Sequence, residues 1–561
     1  MASITGKKIN GQTYYYLREV ARIDGKPKIV SQRYLGKAAD IAAAMDGATV
    51  LPERTRHLQF GALAATWGML ERLDVAGVID AVVGSRRSDA TASVGAYIAL
   101  AAANRVVEPC SKLGFANWWA TTAGDRWAKV PTAALDHRRF WDATDTLSTR
   151  HLRAVEATIA RRVVEVFDLD LSGLVLDMTD FATFVDSAND RAPIAQRGKA
   201  EQKRTDLRLA ALALVVTRDG GIPVCSHTHP GDRPDVTQLS TVIDELAARY
   251  RQLTSSLESL TVVYDAGQSS TANQAHIEAS GLGFVGSLAV PNHPDLLAVP
   301  ADKFSLVDAD RFGGLRAYDT TATALGVTRR AVVTHSPTFH TAQARGFAQT
   351  LAEARRRLGE LQARLARGNT RKARAGVETE IAAICRPRWV GRVIDVTLTG
   401  QTPAEMRLTW TTNQTARRRL AAEIFGKRIL FTNRDDWPVA DVVAAYRCQA
   451  DAEAGFRQLR DPHVVSFSPL RHWTDQKIRV HVFYCVLALA VAHLLRRQAA
   501  HAGLAMSVRE LLDTLAGIEE TVMVYPSTGG RPKARRMLTE MTPTQQRLYD
   551  LFELDRYAPH S

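Results

Sequence analysis

Two aspartates and one glutamate hold the positions in this chain from which acid side chains could do chemistry together. Asp177 closes the apolar run Leu174-Val175-Leu176, and Asp265 closes Leu260-Thr261-Val262-Val263-Tyr264. Runs of that kind read as buried strands, so each carboxylate is delivered to a fixed place at a strand end. Asp265 is followed by Ala266-Gly267-Gln268-Ser269, small residues that leave room for a phosphate backbone to approach. Two strand-end carboxylates suggest a metal site. Hard magnesium prefers oxygen ligands, and a pair of ions about 4 Å apart can activate an attacking oxygen while stabilising the leaving one. Without a cation the carboxylates would repel each other. A strand-end aspartate can equally cap a following turn, and Asp180 and Asp186 lie close enough to Asp177 to stand in for it, although the strand-end position and the Asp-x-Thr pattern favour Asp177.

The third acid is Glu453. Ala440 to Arg460 has helical periodicity, with Pro438 to start it and Gly455 as its one internal helix breaker. On a continuous helix Tyr446, Gln449, Glu453 and Arg460 stand at roughly 0°, −60°, −20° and −40°, one narrow stripe. An aromatic, an amide, an acid and a guanidinium together suit an acid flanked by groups that grip phosphates; a solvated face would also carry them. Asp451, two residues before Glu453, points about 160° away around the axis and is off the stripe.

The elements that must position these residues are legible in outline. Residues 8 to 36 read as a small basic β-hairpin module, with turns at the KINGQT segment and at Asp24-Gly25 and strands over Tyr14 to Ala21 and Ile29 to Leu35. A linker-like stretch from Met45 to Thr55, with Gly47 and Pro52, precedes apolar segments at helical spacing that continue to about Val166. Strands are expected at Leu174 to Asp177, Leu207 to Val216, Leu260 to Asp265 and Gly283 to Val290, which suits an α/β core. A charged helical segment follows at about 338 to 375, with Arg355, Arg356, Arg357, Arg364 and Arg367, then strands near Val393 to Leu398, Arg407 to Thr411 and Lys427 to Thr432, and a last helix from about Asp475 to Arg497.

Composition fits a multidomain globular protein: 561 residues, 46% hydrophobic and 23% charged, exclude a disordered or fibrous chain. A net charge of +13 makes polyanions, above all nucleic acid, the leading partners. Five scattered cysteines without a CxxC pair indicate neither a zinc ribbon nor a disulfide framework and fit a reducing compartment. The N-terminus has no apolar targeting run, and Val482 to Leu495 is too short and too histidine-flanked to span a bilayer, so a cytoplasmic protein is expected. His227, His229 and Asp232 invite a zinc reading but lack a third ligand at suitable spacing, and His472, His481 and His493 read as packed between helices. Lys7, Lys8, Arg18, Arg22, Lys26, Lys28 and Arg33 mix with Tyr14, Tyr15, Tyr16 and Tyr34, a combination suited to gripping a DNA backbone.

With these residues in view, the chain resembles the DDE transposases of the insertion-sequence-four superfamily, whose helix signature runs Tyr, two residues, Arg, three residues, Glu, six residues, Lys. Tyr446 and Glu453 match; Gln449 replaces the Arg, losing its charge, and Arg460 replaces the Lys, keeping it. Leu176-Asp177-Met178-Thr179 resembles the first aspartate motif and Val263-Tyr264-Asp265-Ala266-Gly267 the second. Phe431-Thr432-Asn433, Arg471-His472-Trp473 and Lys477-Ile478-Arg479-Val480-His481 extend the likeness over most of the chain. The resemblance implies an RNase-H-like catalytic core, 170–290 with 427–500, interrupted by a β-rich insertion over 291–426. Before it come the β-hairpin module (1–45) and a helical DNA-binding region (56–166); after it comes a C-terminal helical region (501–561). It further implies Asp177, Asp265 and Glu453 as catalytic ligands of two Mg2+ ions, Mn2+ being a substitute, and Tyr446, Gln449 and Arg460 as DNA contacts; Lys7, Lys8, Arg18 and Arg22 are expected to contact DNA on the strength of their basic and aromatic surroundings. The partners would be transposon terminal inverted repeats and target DNA, with a homodimer in the synaptic complex. A stand-alone nuclease on the same fold, or a domesticated DNA-binding protein without catalysis, would share many of these features.

Overall fold

Asn10 and Gly11 both take positive φ, 48° and 82°, the two-residue turn that matches the twist of flanking strands, and they fold β1 (Ala2–Ile9) back onto β2 (Gln12–Ile23). β3 (Lys26–Gly36) pairs on the other side of β2, so the N-terminus is a three-stranded antiparallel sheet rather than a two-stranded hairpin. The additional strand, β1, lacks an apolar alternation because it is exposed at nearly every position; pairing, not burial, orders it. The computed structural model describes all residues except 1, 24–25, 46–50, 85–91, 199–205, 252–259, 369–370, 469, 527–532 and 561. The Asp24-Gly25 turn and Gly47 of the expected linker therefore lie outside the described residues.

Beyond β4 (Arg54–Gln59) the described residues are mainly helical to Phe167, in keeping with the apolar spacing. It then builds the sheet that carries the acids: β5 (Gly173–Thr183), β6 (Arg208–Thr217), β7 (Pro223–Pro230), β8 (Thr261–Val263), β9 (Gly283–Leu288), β10 (Ser305–Leu306), β11 (Arg316–Ala324) and β12 (Val327–His335). After a further hairpin of β13 (Ile394–Thr399) and β14 (Arg407–Thr412) comes β15 (Lys427–Thr432). Nine strands form one mixed sheet in the order β10-β11-β12-β15-β9-β8-β5-β6-β7; β5, β8 and β9 run parallel, and the remaining pairs are antiparallel. β6 is buried at all ten positions, which is why its sequence, RLAALALVVT, is a continuous apolar run without alternation.

Two expectations change here. β5 does not end at Asp177 but continues to Thr183, because β6 pairs with it along its whole length, from Leu174↔Thr217 to Thr183↔Arg208. The segment 291–426 is not a separate β-rich insertion: β10, β11 and β12 belong to the main sheet, since β12 pairs antiparallel with β15 from Arg330↔Thr432 to His335↔Lys427. What lies between β12 and β15 is mainly helical, Pro337–Ala366, Arg374–Cys385 and Gln414–Ile424 beside the β13–β14 hairpin, and its neck is closed by the bond from the Ser336 amide to the Gly426 carbonyl at 2.9 Å. Within it Arg356 pairs with Glu353 and Glu360, and Arg364 with Glu380 at 2.7 Å.

The last sixty residues, expected to be helical, contain β16 (Glu519–Tyr525) and β17 (Lys533–Leu538) as well as helices. β16 pairs with β4 as well as β17, so strands from residues 54–59 and 519–538 share one sheet. One face of β16 is buried in strict alternation, and at its start Glu520, 0% exposed, is held between Arg126 and Arg536. The helix Asp475–His501 is long and apolar enough to cross a membrane by length and composition, but 94% of its apolar window is buried within the fold, packed on the helices Gly61–Arg72 and Val94–Val107.

Candidate active site

The parallel register of β5 with β8 pairs Val175 with Val263. Asp177 lies two residues past the first and Asp265 two residues past the second, so the register carries both aspartates toward the same end of neighbouring parallel strands, Asp177 half-buried within its strand and Asp265 exposed where β8 has given way to a turn. Asp177 accepts the Met178 amide at 2.8 Å. Asp180 is an odd number of residues further along an unbroken strand and belongs to the opposite face, while Asp186 lies past the strand and closes a turn through the Ala188 amide at 2.8 Å. The rival aspartates are thus separated from Asp265 by geometry that spacing alone did not settle.

The helical segment that carries the third acid is not continuous. Val439–Arg447 and Gln449–Arg460 are two helices that meet at Cys448, whose amide is shared among the Ala444, Ala445 and Tyr446 carbonyls while its own carbonyl accepts Asp451 N at 2.9 Å. This tightening of the ladder from four-residue to three-residue bonds breaks the single stripe. Gln449, Glu453 and Arg460 keep their common face on the second helix, but Tyr446 reaches the site from the first. Its buried hydroxyl donates to Asp265 Oδ1 at 2.8 Å and is pushed up to about 12, by burial first and then by the charge of Asp265.

The second helix is seated on the face of β5 that bears Asp177. Arg460 donates to the Thr179 hydroxyl and, at 3.5 Å, to the Asp180 carbonyl, and its guanidinium lies 5.8 Å from the Phe181 ring centre. Thr179 and Phe181 share the Asp177 side of the strand. Gly455 lets this helix approach closely, since a Cβ there would meet Leu489 at 3.3 Å and Leu214 at 4.0 Å. His493 ties the same helix down: its two ring nitrogens sit 2.8 Å from Gln458 Oε1 and 2.7 Å from the Gly221 carbonyl, and burial pushes its pKa down to about 4. Asp451 turns toward Gly221 and away from the acids, its pKa raised by burial.

Glu453 is exposed and, with Gln449 and Tyr446, lines a cleft of about 500 Å³. Arg428 of β15, Arg447 and Phe339 line the same cleft, and the helix signature points to none of them. Arg428 donates to the Tyr446 hydroxyl at 3.2 Å. Its signal in the sequence was the strand Lys427 to Thr432 itself, which ends in the family-like Phe-Thr-Asn but gives no sign that residue 428 reaches Tyr446. Asn433 of that motif is structural: it accepts the Phe284 amide at 2.8 Å and donates to the Leu282 carbonyl at 3.1 Å, fastening β15 to β9.

The three acids offer oxygen alone, the donor chemistry of a hard divalent cation, and two of them follow neighbouring parallel strands in matching register. Among the described residues no group of three His, Cys, Asp or Glu side chains is gathered at metal-ligand spacing. His227 is engaged by Glu245 at 3.0 Å and His229 contacts the Pro230 carbonyl at 3.2 Å. His472 and His481 are bonded to each other at 2.8 Å and buried, which pushes His472 down to about 3 and His481 well below the usual imidazole range. Lys7 and Lys8 lie on β1, Arg18 and Arg22 on β2, far along the chain from the acids. On β2 alternation places Tyr14, Tyr16 and Arg18 on one face; Lys7 joins them opposite Tyr14, as does Tyr34 of β3, whose ring centre is 5.4 Å from that of Tyr16.

The family profile described as transposase DDE domain matches residues 170–490, more than half of the chain and all three acids. Among solved structures, the cryo-EM structure of a piggyBac transposase synaptic complex with hairpin DNA aligns over 83% of this chain and 82% of that one, at 8% identity and a TM-score of 0.38. No curated protein sequence matches.

Proposed function

The chain belongs to the transposase DDE-domain family, and on that premise we propose that it cleaves DNA at the ends of an insertion sequence and joins those ends to target DNA, using Asp177, Asp265 and Glu453. The observation that carries the reading is the parallel β5–β8 register, which supports Asp177 and Asp265 as a pair, each two residues past the ladder partners Val175 and Val263, with the helix that bears Glu453 bonded to β5 through Arg460. Three antiparallel strands, β5 to β7, continued by the parallel β8 and β9, support an RNase-H-like core, and Tyr446 and Glu453 support the insertion-sequence-four affiliation.

Asp177 and Asp265, with Glu453, would hold two divalent cations, Mg2+ or Mn2+, which when bound lower the pKa of an attacking water or 3′-hydroxyl and neutralise charge on the scissile phosphate. The chain's own residues do the rest. β5 and β8 fix the spacing of the two aspartates, Tyr446 fixes the Asp265 carboxylate by its hydroxyl bond, and Arg460 and His493 hold the helix so that Glu453 faces the cleft. Arg447 and Gln449 at the cleft wall offer donors to a phosphate backbone. Arg460, already engaged by β5, positions the helix in this arrangement. We assign recognition of terminal repeats to residues 1–45 and 56–166, the first through the face of Lys7, Arg18, Tyr14, Tyr16 and Tyr34, with Lys8 and Arg22 as further phosphate contacts. Pairing of two ends would require a dimer.

The test is strand transfer of a labelled duplex, carrying the repeats that flank the gene, into plasmid DNA with magnesium. Wild type is expected to join the duplex, and Asp177→Asn, Asp265→Asn and Glu453→Gln each to lose at least about a thousandfold in joining while still binding the duplex. Cleavage without joining would replace this reading by a nuclease; binding without chemistry under any metal condition would replace it by a DNA-binding protein.

A further inference from the structure

Arg428 is an arginine of β15 that lines the same cleft as Glu453 and belongs to neither the three acids nor the helix signature. Its guanidinium carbon lies 4.8 Å from the Phe339 ring centre and 5.5 Å from that of Tyr446, so the cation packs against two aromatic rings from different elements. From that position Nη1 donates to the Tyr446 hydroxyl at 3.2 Å, and the same hydroxyl donates to Asp265 Oδ1 at 2.8 Å.

A phenol hydroxyl has one hydrogen and rotates to suit its partners. Donors that occupy the oxygen's lone pairs leave its hydrogen to the remaining partner: Arg428 and the Ser287 hydroxyl reach the oxygen, and the remaining partner is Asp265. We propose that Arg428 is a positioning residue for the Asp265 carboxylate, acting through Tyr446: together with Ser287 it fixes the direction of the hydroxyl, which engages Oδ1 and would leave Oδ2 to a cation. The inference rests on the reading of Asp265 as a cation ligand. It is distinct from a plain electrostatic role, because the two predict opposite signs. A cation close to a metal site repels the metal, so its removal by itself would tighten metal binding; removal of an orienting partner behind a ligand weakens it.

The experiment is Mn2+ binding to the full chain without DNA, followed by electron paramagnetic resonance, for wild type, Arg428→Gln, Arg428→Lys, Tyr446→Phe and the Arg428→Gln/Tyr446→Phe double variant. Arg428→Gln and Tyr446→Phe are each expected to weaken Mn2+ binding about tenfold, the double variant no further than the weaker single one, and Arg428→Lys to recover most of the loss. Unchanged or tighter binding in Arg428→Gln, or additive losses in the double variant, would overturn the proposal. Because the readout needs no DNA, a wild type that binds Mn2+ yet joins no ends would count against the transposition reading and leave the Arg428 result standing. A wild type that binds no Mn2+ would overturn both. A Tyr446→Phe protein with native circular dichroism and melting temperature excludes loss of fold as the cause.

Discussion

The sheet that carries the acids and the sheet at the N-terminus are built from the same element by opposite means. β6 is buried at every one of its positions, whereas β1 is exposed at nearly every one, and Ile4, Ile9, Ile29 and Val30 of the N-terminal sheet are 58%, 40%, 52% and 52% exposed. The large sheet is specified by what covers it: Leu214 of β6 lies next to Asp177 in register and under the helix that bears Glu453. The small one is specified by its turn, its tyrosine contacts and the helix Ala38–Met45 packed on it. A strand closed on both faces, as β6 is beside Asp177, can hold a carboxylate to the tolerance that phosphoryl transfer requires. A sheet with open basic and apolar faces is suited to a surface outside the chain.

The largest effect that would sharpen this contrast comes from the buried end of the body. Glu520→Ala removes the carboxylate between Arg126 and Arg536 and is expected to cost about 3–5 kcal/mol, seen as a lowered urea midpoint. Leu214→Ala, which opens a cavity between β6 and the Glu453 helix, should cost about 2–5 kcal/mol and also reduce end joining, because the helix loses its seat. Equal stability of that variant and wild type would break the claim that packing places the third acid.

The pH dependence is of intermediate size. Burial holds His229, His472 and His493 neutral, with pKa values pushed down to about 4, about 3 and about 4. The unfolded chain takes up the protons that the folded one refuses, so stability falls as pH drops below about 6.5, by about 1.4 kcal/mol per pH unit for each such histidine, until the folded pKa is reached. Thermal melting should shift down between about pH 7 and about pH 5, and less steeply in His493→Gln. The smallest effect belongs to the N-terminal sheet: Ile29→Ser is expected to change stability by no more than about 0.5 kcal/mol. Removal of residues 1–45 should leave the melting of the body in place and weaken binding of the end duplex, with a shallower salt dependence of what binding is left. Unfolding of the body on that removal would break the comparison.

The sequence by itself determined the strands of the acids and the helix of the glutamate, because continuous apolar runs and a 3.6-residue period depend on local chemistry. It also distinguished Glu453 from Asp451, since direction around a helix axis follows from spacing alone. Tertiary structure decided what depends on partners distant in the chain. Asp177 sits within a strand rather than at its end because β6 pairs beyond it; the strands Arg316–Ala324 and Val327–His335 join the main sheet because β15 accepts them; Tyr446 leaves the Glu453 stripe because the helix tightens at Cys448. Arg428 was invisible for the same reason. A hydrogen bond between residues 428 and 446, relayed to residue 265, leaves no periodicity in the chain, and only the packing of β15 against two helices brings those three side chains together.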